Sequence, residues 1–110
     1  MVNVYLISSE VDGKNLYKIG FTRREIQVRI NEFKTGNASP FILVDSFQSK
    51  WGTKIEVHLH KFYRSKKISG EWFDLTEDDV LQFRERCQKF HDNLELVSTT
   101  NSYYLERGDF

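Results

Sequence analysis

The sequence predicts an α+β domain, a small central antiparallel sheet flanked by helices. Three observations carry this expectation. Runs with the period-two alternation of strands are interleaved with segments whose apolar residues recur at helical spacing. Turn and capping residues fall between them. The order strand, strand, helix, strand, helix, strand, helix fits 110 residues, one domain with one modest core.

The first two strands are VNVYLIS and LYKIGF, joined by the turn cluster DGKN at residues 12–15. In the simplest register of such a hairpin, Tyr5, Lys18 and Gly20 share one face. Thr22 is the expected N-cap of a helix over 23–35, closed by Gly36, with Ile26, Ile30 and Phe33 as its buried stripe. Arg29 falls about 40° from Phe33 on the helical wheel. At that border its aliphatic stem can lie on the core and its guanidinium outside, over the hairpin.

NASP reads as a loop and FILVDSF as a mostly buried strand. A second helix over 50–63 carries Trp51, Ile55, Leu59 and Phe62 on one side. Glu56 and His60, four apart, are stacked neighbours on its flank, with Tyr63 nearby. RSKKISG is a basic loop and EWFDL a short strand. Thr76 and Asp79 form a capping pair that opens a third helix burying Val80, Phe83, Cys87 and Phe90. The domain is expected to span 1–93, and 94–110, without a clear period, to be a tail or a partner-ordered arm.

The neutral net charge hides a segregation. Between Lys14 and Lys67 stand twelve basic side chains against four acidic ones, whereas from Glu71 onward ten acids face four bases. A basic first part attracts a polyanion. The single cysteine, Cys87, excludes a disulfide or a cysteine zinc site within one chain. No apolar run approaches the roughly 18 residues of a membrane span, and the N-terminus lacks a signal-peptide layout. A cytoplasmic location and no membrane partner are expected. His58 and His60, two apart on a helix, do not converge on a metal.

Phosphodiester hydrolysis requires a base for water, a cation for the phosphoryl charge and a carboxylate for a hard divalent metal. Tyr5 or Lys18, then Arg29, then Glu56 fill those roles in chain order. One carboxylate suits magnesium, which keeps waters and takes its other ligands from substrate.

VYLI, YKIGFT, VRINEFKTGN, IEVHLHKFY and GEWFDL follow one another over residues 2–75. In that order they resemble the GIY-YIG nuclease superfamily, specifically the short phage and bacterial branch with a K-I-G second motif and a GEWF motif. The resemblance implies a one-metal site that hydrolyses DNA. By position, Tyr5 would hydrogen-bond or deprotonate the attacking water. Lys18, where the family usually has its second tyrosine, would act as base or orient the water. Gly20 would keep the strand end close to the phosphate, Arg29 would neutralise it, and Glu56 would ligate Mg2+ or Mn2+. His60 would support Glu56 or be structural, and Trp72 and Phe73 would belong to the core. Arg23, Arg24, Lys34, Lys66 and Lys67 are the candidates for contact with the nucleic-acid backbone. Val4 and Asn3 depart mildly from the usual first motif. No separate DNA-reading segment is recognisable after residue 76, so such a nuclease would act nonspecifically, dimerise or rely on a protein partner. The alternatives are a non-catalytic nucleic-acid-binding module and a phage accessory or inhibitor protein on the same fold.

Overall fold

The first hairpin turns on two residues, Asp12 and Gly13, both at positive φ (52° and 78°). Left-handed conformations at both central positions match the twist of antiparallel strands, and Asp-Gly tolerates them. The turn fixes the register of β1 (Val2–Val11) with β2 (Lys14–Thr22), so that Tyr5 lies opposite Gly20 and Ile7 opposite Lys18. This computed structural model describes residues 1–33 and 41–100.

The remaining elements are α1 (Ile26–Phe33), β3 (Ile42–Ser49), α2 (Gly52–Phe62), a 3-10 turn (Arg64–Lys66), β4 (Lys67–Ser69), β5 (Trp72–Phe73), α3 (Glu77–Leu81) and α4 (Phe83–Thr100). The fold is α+β, as expected. Its five strands are antiparallel in the order β3-β1-β2-β5-β4.

Alternation along the central strands divides the side chains between two faces. Val4, Leu6, Ile19 and Phe73 point to one, where α2 and α4 cover them with Ile55, Leu59, Phe83, Cys87 and Leu94. Tyr5 and Ile7 point to the other, where Ile30 of α1 covers them and Ile26 and Phe41 pack alongside. Burial pushes the Cys87 thiol up to about 12, so it is an inert core group.

Several details differ from the sequence reading. The helix expected over 23–35 begins at Ile26, because Thr22 remains in β2 and its hydroxyl accepts the Arg24 N–H at 3.0 Å in a local turn. Its expected stop at Gly36 and the NASP loop lie outside the described residues. β3 is not mostly buried: Ile42, Leu43 and Val44 are exposed, because the strand lies at a sheet edge. On α2, Ile55 and Leu59 are buried but Phe62 is half exposed, and Tyr63 takes the buried place.

Thr76 and Asp79 do form a reciprocal capping box. The helix they open is jointed at Gln82, where hydrogen bonding continues from Gln82 N–H to Asp78 and from Arg86 N–H to Gln82. Residues 94–100, assigned from sequence to the arm, are the last turns of α4. Leu94 enters the core, and Glu95 accepts from Trp51 Nε1 at 2.9 Å and pairs with Lys50 at 2.7 Å. The rest of that arm lies outside the described residues.

Candidate active site

The α1-covered face begins with a tyrosine seated on a glycine. A Cβ at Gly20 would stand 2.4 Å from the Tyr5 hydroxyl oxygen and 2.6 Å from its Cζ, so the ring occupies the space that any larger residue would need. Gly20 therefore serves a local purpose that the sequence reading did not foresee. Tyr5 is 1% exposed, and Arg29 of α1 donates a hydrogen bond to its hydroxyl. Burial pushes the phenol pKa up and outweighs the opposing effect of Arg29, so Tyr5 is a neutral hydroxyl at physiological pH.

Arg29 also donates to Glu32 at 3.0 Å, and Arg24 forks onto the same carboxylate with two bonds of 2.7 Å. Arg24 first and Arg29 second bring the Glu32 pKa down to about 2. The late start of α1 makes this clamp possible, since Arg24 precedes the helix and folds back along it. Arg24, a sequence candidate for nucleic-acid contact, is thus engaged with Glu32.

Glu56 enters from α2, its side chain only 12% exposed. Burial raises its pKa, His60 opposes the rise and Glu71 adds to it. His60 Nε2 lies 3.8 Å from the Glu56 carboxylate and 2.9 Å from the Ile19 carbonyl, to which it donates. With its ring edge-on to Phe73 at 4.9 Å, His60 ties α2 to the backbone of β2.

Glu71 is the member of this group absent from the sequence candidates. It pairs with Lys18 at 2.8 Å, its carbonyl accepts the Ile19 N–H at 3.1 Å, and its charge is felt by both Tyr5 and Glu56. The signal was available in GEWF, where Glu71 precedes the strand that pairs Trp72 with Lys18. Trp72, assigned from sequence to the core, is half-buried beside Lys18, whose ammonium stands 5.8 Å from the ring centroid. Phe73 alone is fully buried. The Lys18 side-chain nitrogen makes both the ion pair and the ring contact.

Tyr5, Lys18, Gly20, Arg29, Glu56 and His60 are therefore brought together from β1, β2, α1 and α2. The peripheral bases divide. Arg23 is exposed with its guanidinium 5.6 Å from the Phe21 ring, and Lys67 is exposed on β4. Lys66 is paired with Asp79, and Lys34 lies outside the described residues.

The donor chemistry fits a hard cation. Glu56 is a desolvated carboxylate whose ion-pair partner among the described residues is His60, and Glu71 is a second carboxylate in electrostatic contact. No cluster of three or more acidic, histidine or cysteine side chains suited to metal occurs among the described residues. A magnesium-like ion here would draw further ligands from water and substrate.

A family model, the T5orf172 domain, matches residues 3–88, from the start of β1 into α4. Domains of this family are associated with endonuclease-type proteins of the GIY-YIG and HNH kinds. No curated protein and no solved structure matches the chain. No helix among the described residues is long and apolar enough to cross a membrane.

Proposed function

Because the chain belongs to the T5orf172 domain family, we propose that it is a metal-dependent DNA endonuclease of the GIY-YIG type, phage or mobile-element associated and acting in the host cytoplasm. The observation that carries this reading is the convergence of a hydroxyl, a guanidinium and a desolvated carboxylate. Tyr5 is hydrogen-bonded to Arg29 and lies within electrostatic reach of Glu56. These groups come from three separate elements, and phosphodiester hydrolysis needs all three chemistries.

In this mechanism Arg29 binds the scissile phosphate and offsets the charge that builds on its oxygens. Its bonds to Tyr5 and Glu32 hold the guanidinium in place before substrate arrives, which limits reorganisation during the reaction. Neutral Tyr5 orients the attacking water by hydrogen bonding. Lys18, a cation beside Glu71, adds a second donor to the phosphate or the water, and Glu71 supplies a proton acceptor next to it. Glu56, with Glu71, would hold Mg2+ or Mn2+, which supplies Lewis-acid stabilisation of the phosphoryl oxygens when bound. His60 is a positioning residue, since it fixes the Glu56 helix against β2. Exposed Arg23 and Lys67 contribute to backbone attraction, and specificity beyond that comes from a protein partner or a second copy.

The test is incubation of the purified protein with supercoiled and single-stranded DNA in magnesium, manganese or chelator, beside Glu56→Gln and Arg29→Ala. Metal-dependent nicking by wild type, abolished in both variants while both remain folded, is expected. Cleavage retained by Glu56→Gln overturns its assignment as metal ligand. Salt-sensitive DNA binding without cleavage replaces the nuclease by a binding module.

A further inference from the structure

Many basic side chains of this fold are committed to carboxylates. Away from the candidate site, Lys14 pairs with Asp74, Lys50 with Glu95, Lys66 with Asp79 and Arg84 with Asp45. Lys61, Arg64 and Lys67 differ. All three are exposed, and none of them has an ion-pair partner among the described residues. The sequence accounts for this: Glu56 is the one acidic residue between Asp45 and Glu71, a stretch that holds six bases, and it is turned to the site. The surplus charge is felt by a neighbour, since burial first and then Lys61 and Lys54 pull the His58 pKa down.

These three cations form a corner that adjoins the site by two routes. Along α2, Glu56, His60 and Arg64 are spaced four apart, and the winding continues past the end of the helix because the Tyr63 N–H bonds the Leu59 carbonyl at 2.9 Å. Arg64 therefore follows Glu56 on one ridge, about 12 Å further along the axis. Through the sheet, Lys67 of β4 pairs with Phe73, and the chain leaving β4 turns at Gly70 (φ 55°) into Glu71, the carboxylate beside Lys18. Phe73 in turn pairs with Tyr17 of β2. Exposed Arg23 follows the far end of β2, six residues beyond Tyr17 and about 20 Å away along the strand direction. Lys18 and Gly20 lie between these two cationic ends.

We propose that the corner of Lys61, Arg64 and Lys67 binds backbone phosphates on one side of the cleaved bond while Arg23 holds the backbone on the other, so that the strand crosses the site along β2. This rests on the nuclease reading above. A span of about 20 Å corresponds to roughly six nucleotides at 3.4 Å each. Exposed cations of this kind meet phosphates and not base edges, so the corner adds affinity and orientation without sequence preference. An acidic protein segment is the other polyanion that such charge could hold. Continuity with the site favours the substrate itself, because a phosphate chain seated at the corner extends directly toward Arg29.

The experiment measures binding without catalysis. A short dye-labelled duplex is titrated with the full chain in chelator at several salt concentrations, and anisotropy gives the slope of log affinity against log salt. Each phosphate contact contributes about 0.9 to that slope. Lys61→Ala/Arg64→Ala/Lys67→Ala, at exposed positions where folding is not at risk, is expected to make the slope shallower by about 2 to 3 and to weaken low-salt binding about tenfold or more. Lys14→Ala/Lys50→Ala/Lys89→Ala removes the same charge from ion-paired positions and is expected to change the slope by less than about one. An unchanged slope in the first variant, an equal loss in both, or no duplex binding in chelator overturns the corner. Nicking of DNA by wild type in magnesium then leaves the nuclease reading standing, and absence of nicking overturns the two together. Tighter binding of poly-glutamate than of duplex, lost in the first variant, overturns nucleic acid as the occupant in favour of an acidic protein segment. The expected slopes without nicking support the corner as a phosphate site and overturn cleavage alone.

Discussion

The two faces of the sheet are built from alternate residues of the same strands and have opposite chemistry. Toward α2 and α4, Leu6, Ile19 and Phe73 meet Ile55, Leu59 and Phe83, all fully buried. Toward α1 the apolar cluster shrinks to Tyr5, Ile7 and Ile30, with Ile26 and Phe41 at its margin, and the neighbouring positions are Lys18, Gly20 and Arg29. Hydrophobic burial scales with area, so most of the folding energy belongs to the first face. The second can then hold a buried hydroxyl, a strand lysine and a paired arginine at a cost the first face offsets, while Glu56 reaches the site from the flank of α2, the helix of the first face. Along β1 and β2, a shift of one residue separates the core side chains from the strand-borne part of the chemistry.

The largest effect expected from this contrast comes from substituting the core and the site in turn. Phe83→Ala removes a fully buried ring and should lower unfolding free energy by about 3–5 kcal/mol, enough to unfold many domains of this size. Glu56→Gln, at a polar position on the flank of α2, should abolish cleavage without lowering stability. The sign follows from the raised Glu56 pKa: the native state binds that proton more tightly than the unfolded chain. Stability attributable to this group therefore falls as pH rises from its ordinary value through the raised one, and an uncharged amide escapes that loss. Urea titrations of both variants at neutral pH check the pair. A Glu56→Gln protein clearly less stable than wild type would break the division between core and site.

These assignments also show where the sequence was legible. The hairpin could be read because Asp12-Gly13 is local turn chemistry and the alternation around it fixes register. With the register came the shared face of Tyr5, Lys18 and Gly20. The helical spacing of Glu56 and His60 likewise placed them together. The exposed apolar residues of β3 could not be read, because Ile42, Leu43 and Val44 look the same in an edge strand as in a central one. Glu71 was missed because its contact with Lys18 depends on β5 joining β2, a pairing between segments far apart in sequence. The Arg24 clamp on Glu32 was hidden by the three-residue error in the start of α1.

An intermediate effect is expected at the seat of the tyrosine. Gly20→Ala forces the added methyl into the Tyr5 ring and should cost about 1–3 kcal/mol, with loss of cleavage as the hydroxyl leaves Arg29. Tyr5→Ala removes the obstructing ring. The double variant Gly20→Ala/Tyr5→Ala should therefore be more stable than the sum of the single effects predicts, a coupling that denaturant melts of the four proteins measure. Additive effects would mean that Gly20 is required by the backbone and not by the ring.

The smallest effect concerns Glu32, which lies on the surface beside the site. Its carboxyl is held down to about 2 by Arg24 and Arg29, so ionised Glu32 is favoured in the folded protein relative to the unfolded chain. The sign is opposite to that of Glu56. Its contribution is fully present above the ordinary glutamate range and is lost as pH falls from there toward about 2. Because Glu32 and Arg24 are largely exposed, the change in melting temperature should be slight and should diminish further in high salt. Glu32→Gln should therefore differ a little from wild type at pH 7 and converge with it in acid, as thermal melts across the acid range would record. Its effect on the site should exceed its effect on the fold. Without the carboxylate, Arg29 loses its ion pair with Glu32, and cleavage should slow mainly through a lower kcat, because the guanidinium still attracts phosphate but is less firmly held for the transition state. A pure loss of stability with unchanged kcat would instead assign the Arg24–Glu32–Arg29 clamp to the fold and move it out of the chemistry of this face.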